Sequence, residues 1–344
     1  MGEQPEKKAL RKWESAIMDV PGVVGAGLGS RKIVVLVEQA LPKVLAEIPR
    51  TLDDIPVQIK EVEKIRLLPL LEKPQTIPTA AIYKERTDRH RPLPGGCSLG
   101  SPHVTAGTFS CVVIEKKTRR ILGLTANHLA PFWGLCRPAE IGVTPFLNPA
   151  VYDGGVLPDD QVGVLEAIQP VDLPPSRNLI DCCLFTPSPE DVLRYDVLEV
   201  GVPTEAIEPK VGMHVVKSGR TSGLTYGKIT VTDAVVDVDG EECGVCRFVD
   251  QIIVEPAILY PGDSGSWGGL TDRTATIGIG YAGSEKVSCL CKGLHIEDIF
   301  GIVFLAPAAV AKVPLLPLGV MLGVYGAGIG GILGLTVKRK KLEV

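Results

Sequence analysis

Pro261-Gly262-Asp263-Ser264-Gly265-Ser266 is the stretch on which the reading of this chain turns. A serine hydroxyl is a weak nucleophile until a base stands beside it. The oxyanion it would create needs backbone N–H donors aimed at it. Glycines on either side let the chain turn tightly and present those N–H groups without a side chain in the way. The plain alternative is a polar turn between two strands. Two further stretches bear on the choice. Thr125-Ala126-Asn127-His128-Leu129-Ala130 follows the apolar run RILGL and puts a histidine at a strand end, 136 residues before Ser264. Asn178-Leu179-Ile180-Asp181-Cys182-Cys183-Leu184-Phe185 sets Asp181 in an apolar run. A carboxylate there is costly unless something binds it, and a histidine N–H would do so.

Around these stretches the chain reads as mainly β. It has 344 residues, 45% of them hydrophobic, enough to bury a core and to exclude wholesale disorder. Charged residues are 22% and the net charge is −4, which argues against a nucleic-acid partner, whose binder would show a basic face. With 38 Gly, 28 Pro and many Val, Ile and Thr, short strands and turns are favoured over long helices. Between residues 97 and 305 the runs TFSCVVIE, RILGLTA, QVGVLEAI, DCCLF, HVVKSG, GKITVTDAVVDV, RFVDQIIVEP and ATIGIGYAG are separated by Gly, Pro and Asp turns. No regular helical span lies between them, so an antiparallel barrel or sandwich is expected.

The flanks differ. Residues 5–18 carry a helical pattern, Val23–Glu38 reads as a hairpin, a short helix follows near 40–48, and a strand spans 55–62. This is a small α/β domain over 1–70. Gly25, Gly27 and Gly29 lack the dinucleotide spacing and read as hairpin glycines. Residues 71–96, rich in proline and charge, are expected to be an exposed, protease-sensitive linker. An apolar tail occupies 306–344. Within it, 313–337 carries no charge and is followed by Lys338-Arg339-Lys340-Lys341, long enough for a membrane segment. The N-terminus has neither the apolar core of a secretory signal nor a myristoylation pattern. The expected location is therefore cytoplasmic or membrane-associated.

The order His128, Asp181, Ser264 is that of chymotrypsin, not of subtilisin or the α/β-hydrolases. Residues 97–300 resemble the chymotrypsin-like (trypsin-like) serine peptidases, in the bacterial branch. Val215-Val216-Lys217-Ser218-Gly219-Arg220-Thr221-Ser222-Gly223, with Tyr226-Gly227-Lys228-Ile229-Thr230, is similar to the SGRTTG segment of streptogrisin and α-lytic-type enzymes. TANHLA resembles the element that carries the base, and PGDSGS the one that carries the nucleophile. The stretch from Tyr152 through Asp181 resembles the segment that leads to the orienting carboxylate.

The resemblance implies a double β-barrel domain over 97–305 and a serine endopeptidase acting on peptide or protein substrates, with no cofactor and no metal. Ser264 would be the nucleophile, His128 the base and Asp181 its orienter, with the oxyanion hole made by the N–H groups of Gly262 and Ser264. Ile258, Tyr260, Gly280 and Tyr281 would line the primary pocket, which is apolar and suits a small or medium apolar residue. The chain departs from its secreted relatives at Leu129, where they place a cysteine, and at Val216 and Tyr226, where they place a disulfide; this favours a reducing compartment. Cys243, Cys246, Cys289 and Cys291 could together hold zinc, but read better as unligated thiols. Two alternatives stay open. One is a catalytically silent protease fold used for binding or regulation. The other is a processing role in which the N-terminal unit recognises a partner or acts as a pro-region cut near 84–96.

Overall fold

The computed structural model describes residues 3–68, 84–102, 106–130, 139–240, 244–271 and 275–304. The fold is mainly β, as its composition and alternation of turns and apolar runs imply. The eight runs read as strands all lie in strands, among them Cys111–Glu115, Ile121–Thr125, Gln161–Ile168, Cys183–Pro187, His214–Gly219 and Thr276–Gly283. They fall into two sheets.

In the first, the order His214–Gly219, Trp267–Leu270, Thr276–Gly283, Ser288–Lys292, Val245–Glu255, Gly223–Asp239 closes on itself, because His214–Gly219 also pairs with Gly223–Asp239. Six strands thus form a closed barrel, which removes the exposed edges an open sheet would leave. In the second, six strands run in the order Pro145–Leu147, Gln161–Ile168, Cys183–Pro187, Ile121–Thr125, Cys111–Glu115, Ile302–Phe304. One apolar core joins them. It includes Leu124 and Leu184 from the second sheet, Val216, Trp267 and Tyr281 from the barrel, and Phe304. Trp267 is wholly buried, and its indole N–H donates to Thr276 Oγ1 at 2.9 Å.

The N-terminal helix Pro5–Met18 and strands Val23–Gly29, Lys32–Val37 and Ile55–Glu61 form where the sequence pattern predicts them. Their sheet continues the barrel's: Val23–Gly29 pairs antiparallel with Gly223–Asp239, and Ile55–Glu61 adds in parallel to Lys32–Val37. The helix covers one face of these strands through Leu10, Ile17 and Met18. Val34, Leu36, Val62 and Ile65 enter the same core as Phe248 and Tyr281.

The linker expected over 71–96 is exposed at Glu85, Asp88 and Arg89 but buried at Arg86 and over residues 93–96. Arg86 is buried, and its guanidinium donates to the Gly96 carbonyl at 2.9 Å and to Ser218 Oγ at 2.8 Å. Leu93–Gly95 is a buried strand beside Leu193–Val197. Of the charges that read as solvent-facing, that of Arg86 is satisfied inside the fold. Among the described residues no helix is long and apolar enough to cross a membrane; the segment 313–337 lies outside them.

Candidate active site

His128 sits in a single helical turn, Asn127–Leu129, immediately after the strand Ile121–Thr125. Asp181 lies two residues before the strand Cys183–Pro187. These strands are antiparallel neighbours, with Thr125 opposite Cys183, so the pairing alone brings the two side chains to one end of the sheet. His128 Nδ1 and Asp181 Oδ2 are 2.5 Å apart, and the backbone N–H of His128 donates to Asp181 Oδ1 at 3.2 Å. The backbone N–H of Asn127 donates to the Asp181 carbonyl at 3.2 Å. Asp181 is wholly buried, and the His128 side chain is 3% exposed. The cost of burying that carboxylate is offset by these donors. The pairing fixes the ring with Nδ1 toward the carboxylate and Nε2 on the far side.

Ser264 is buried in the turn between Tyr260 and Trp267. The turn is shaped by Gly262 at φ +94° and Gly265 at φ +90°, backbone that side chains disfavour. A Cβ on Gly262 would come 2.3 Å from Thr221 Oγ1, and one on Gly265 2.3 Å from the Thr108 carbonyl oxygen. The same Cβ on Gly265 would lie 3.2 Å from the backbone nitrogen of Ala126, two residues from His128. The turn that carries the hydroxyl therefore packs on the strand end that carries the ring. The Ser264 hydroxyl donates to the Tyr281 carbonyl at 3.2 Å.

The N–H of Gly262, expected as an oxyanion donor, is engaged: it donates to the carbonyl of Leu68 at 2.8 Å. Of the residues expected around the pocket, Ile258 is buried in an apolar cluster with Leu259, Ile277, Leu290 and Leu68. Gly280 leaves room for Leu259, whose side chain a Cβ there would overlap at 2.5 Å. Tyr281 turns its ring away into the core against Phe248, centroids 4.9 Å apart, and faces Ser264 with its carbonyl. Tyr260 is largely exposed.

The sequence reading gave no role to Lys217, Asp263 and Thr108, which hold this turn, or to the pair Asp153 and Arg220 beside it. Lys217 is wholly buried, and its ammonium lies 2.9 Å from Asp263 Oδ2. Burial pushes the Lys217 amine down, while the Asp263 carboxylate opposes that shift. Asp263 also accepts the N–H groups of Thr221 at 2.8 Å and Ser222 at 3.1 Å. Thr108 ties the loops together: its hydroxyl donates to the Gly262 carbonyl at 2.9 Å, and its N–H to the Ser264 carbonyl at 2.8 Å. Asp153 pairs with the buried Arg220 and takes the Ser98 hydroxyl at 2.6 Å. A signal existed for Lys217, since an acid inside GDSG needs a partner and a lysine stands in the neighbouring SGR segment.

Cys246, Cys289 and Cys291 are buried free thiols, and burial pushes Cys246 and Cys289 up to about 12. Cys243 lies outside the described residues, and no group among them could hold a metal ion.

The chain matches no protein-family model and no curated protein. It is similar to solved structures of serine proteases. Thermobifida fusca protease A is 16% identical over 62% of this chain and 98% of its own, with a TM-score of 0.44. Cellulomonas bogoriensis chymotrypsin is 17% identical over 62% and 98%, with a TM-score of 0.43. A glutamic-acid-specific serine protease, described as using a histidine triad in substrate binding, is 16% identical over 62% and 100%, with a TM-score of 0.42.

Proposed function

We propose that this chain is a chymotrypsin-like serine endopeptidase, with Ser264 as nucleophile, His128 as general base and Asp181 as the orienting carboxylate. The observation that carries the reading is the buried His128–Asp181 pair at 2.5 Å, on the strand end against which the Ser264 turn packs. A carboxylate wholly out of water, with its oxygens committed to one imidazole and that residue's own N–H, is an arrangement a surface histidine does not need. In the reaction Ser264 Oγ attacks a peptide carbonyl while His128 Nε2 takes the hydroxyl proton. The same ring then returns the proton to the leaving amine, and water completes hydrolysis of the acyl-enzyme. Asp181 keeps the tautomer with its proton on Nδ1 and stabilises the imidazolium. The N–H groups of Gly262 and Ser264 receive the oxyanion. Lys217 positions the loop through Asp263.

The test is covalent labelling by a fluorophosphonate probe, with casein hydrolysis alongside. The wild-type chain is expected to label and the Ser264→Ala variant to remain unlabelled. Equal labelling of both would remove Ser264 from the role. A second reading, a silent fold used for binding, is favoured by the engagement of Gly262 N–H with the chain's own Leu68 carbonyl. Absence of Ser264-dependent labelling in every variant is the result that would select it.

A further inference from the structure

The residues 61–68, which lead out of the N-terminal sheet, do not pass over the barrel as a loose connection. Arg66–Leu67 adds to the edge of Thr276–Gly283 as an antiparallel strand, with Arg66 opposite Gly283 and Leu67 opposite Ala282. The next residue inward on that barrel strand is Tyr281, whose carbonyl takes the Ser264 hydroxyl. Following the same register, Leu68 arrives beside the nucleophile turn, and its carbonyl accepts the N–H of Gly262 at 2.8 Å. Its side chain, 8% exposed, joins the apolar cluster of Ile258, Leu259, Ile277 and Leu290. Three features coincide: an extended strand on the sheet edge, a carbonyl on an oxyanion donor, and an apolar side chain beside the residues that precede the nucleophile. Together these are what a peptide substrate presents to such a site.

The segment is also strapped down upstream. Asp239 donates its N–H to the Ile65 carbonyl at 3.0 Å, and Lys64 pairs with Asp239 at 2.6 Å. Ser284 donates its hydroxyl to the Val62 carbonyl, and Lys286 pairs with Glu61 at 2.6 Å. Val62 and Ile65 are buried.

We infer that residues 65–68 are a tethered pseudosubstrate: the N-terminal unit holds its own Leu68 in the primary pocket, blocks the cleft against other peptides, and marks the pocket as one for a leucine-sized apolar residue. This rests on the endopeptidase reading and adds to it an occupant and a substrate class. Tethering is what makes so short a segment effective. A linked ligand competes at an effective concentration of order millimolar, so a strand that would bind at about 10–100 μM if free suppresses access roughly tenfold or more.

The test uses the full chain and the rate of fluorophosphonate labelling, in the wild type, Leu68→Asp and Leu68→Ala, with Ser264→Ala as blank. Circular dichroism reports folding. Leu68→Asp puts a charge into the apolar cluster and is expected to label at least about tenfold faster than wild type, with Leu68→Ala between them. The released enzyme is then expected to hydrolyse a peptide anilide with Leu before the scissile amide in preference to the same peptide with Arg or Asp. If Leu68→Asp does not fold, Leu68→Ala alone decides, a faster rate supporting the inference. Ser264-dependent labelling at one rate in wild type and folded variants would overturn the pseudosubstrate and leave the endopeptidase standing. A preference for Arg or Asp before the scissile bond would overturn the pocket assignment. No Ser264-dependent labelling in any variant would overturn the endopeptidase reading, and the inference with it.

Discussion

Asp181 has no water to fall back on: its Oδ2 lies 2.5 Å from the His128 ring, its Oδ1 takes the His128 N–H, and its carbonyl takes that of Asn127. Replacing one oxygen by an amide keeps the volume but offers the ring a donor, so the opposite tautomer of His128 is favoured and Nε2 carries the proton instead of accepting it. Asp181→Asn is therefore expected to lower turnover by about 10⁴-fold, the loss known for the prototype of this chemistry, with the fold unchanged by circular dichroism. A drop of only a few-fold in kcat would mean that the ring works without its carboxylate. At this scale the three residue types were legible in sequence because each is chemically odd in its setting: a histidine at a strand end, an acid in an apolar run, a serine between glycines. Lys217 and Thr108 were not singled out, because a lysine or threonine in a β-rich chain looks ordinary until its burial is known.

Elements are joined by charges as well as by ladders. Asp250 on the strand Val245–Glu255 meets Lys292 at the end of Ser288–Lys292, at 2.6 Å, and His295 on the helix Gly293–Phe300, at 2.7 Å. His295 and its partner lie 45 residues apart in the chain, so only the fold brings them together. Burial would push the Asp250 carboxyl up, but the hydrogen bonds and charges of His295 and Lys292 outweigh it and bring it to about 2. The carboxyl is thus more acidic folded than unfolded, so its contacts with Lys292 and His295 stabilise the protein above about pH 4, and that contribution is lost as pH falls through about 2. Allowing for its partial exposure, the contribution is about 1–2 kcal/mol. Denaturant unfolding is expected to show Asp250→Asn less stable than wild type by that amount at pH 5, with most of the difference gone at pH 2 and the rest below it. A difference that persists unchanged at pH 2 would show that packing, not the ion pairs, holds this helix.

At the scale of the whole molecule, the described residues are joined across a seam. Val23–Gly29 of the N-terminal unit pairs with Gly223–Asp239 of the barrel, and Gly27 stands at the break in their register between Ala26 and Leu28. A Cβ there would lie 2.4 Å from Val231 Cγ1 and 2.9 Å from both the Ala234 Cα and the Thr232 carbonyl oxygen. Gly27→Val is expected to cost about 1–3 kcal/mol by overpacking. By calorimetry the melting temperature should fall within a single transition, because Val34, Leu36 and Ile65 share the core of Phe248 and Tyr281. A separate low-temperature transition for the N-terminal unit would show instead that it folds on its own. What the sequence determined alone is what local chemistry can specify: strands from β-branched runs, turns from Gly and Pro, the N-terminal helix from its periodicity, and the three residue types of the candidate site with their order. Local pattern carries no information on which strand edges meet. Only the tertiary structure set Val23–Gly29 against the barrel, buried Lys217 beneath Asp263, and brought the Leu68 carbonyl to Gly262, nearly two hundred residues further along the chain. Those contacts are long-range closures, each decided by the fit of whole surfaces once the ladders are in register.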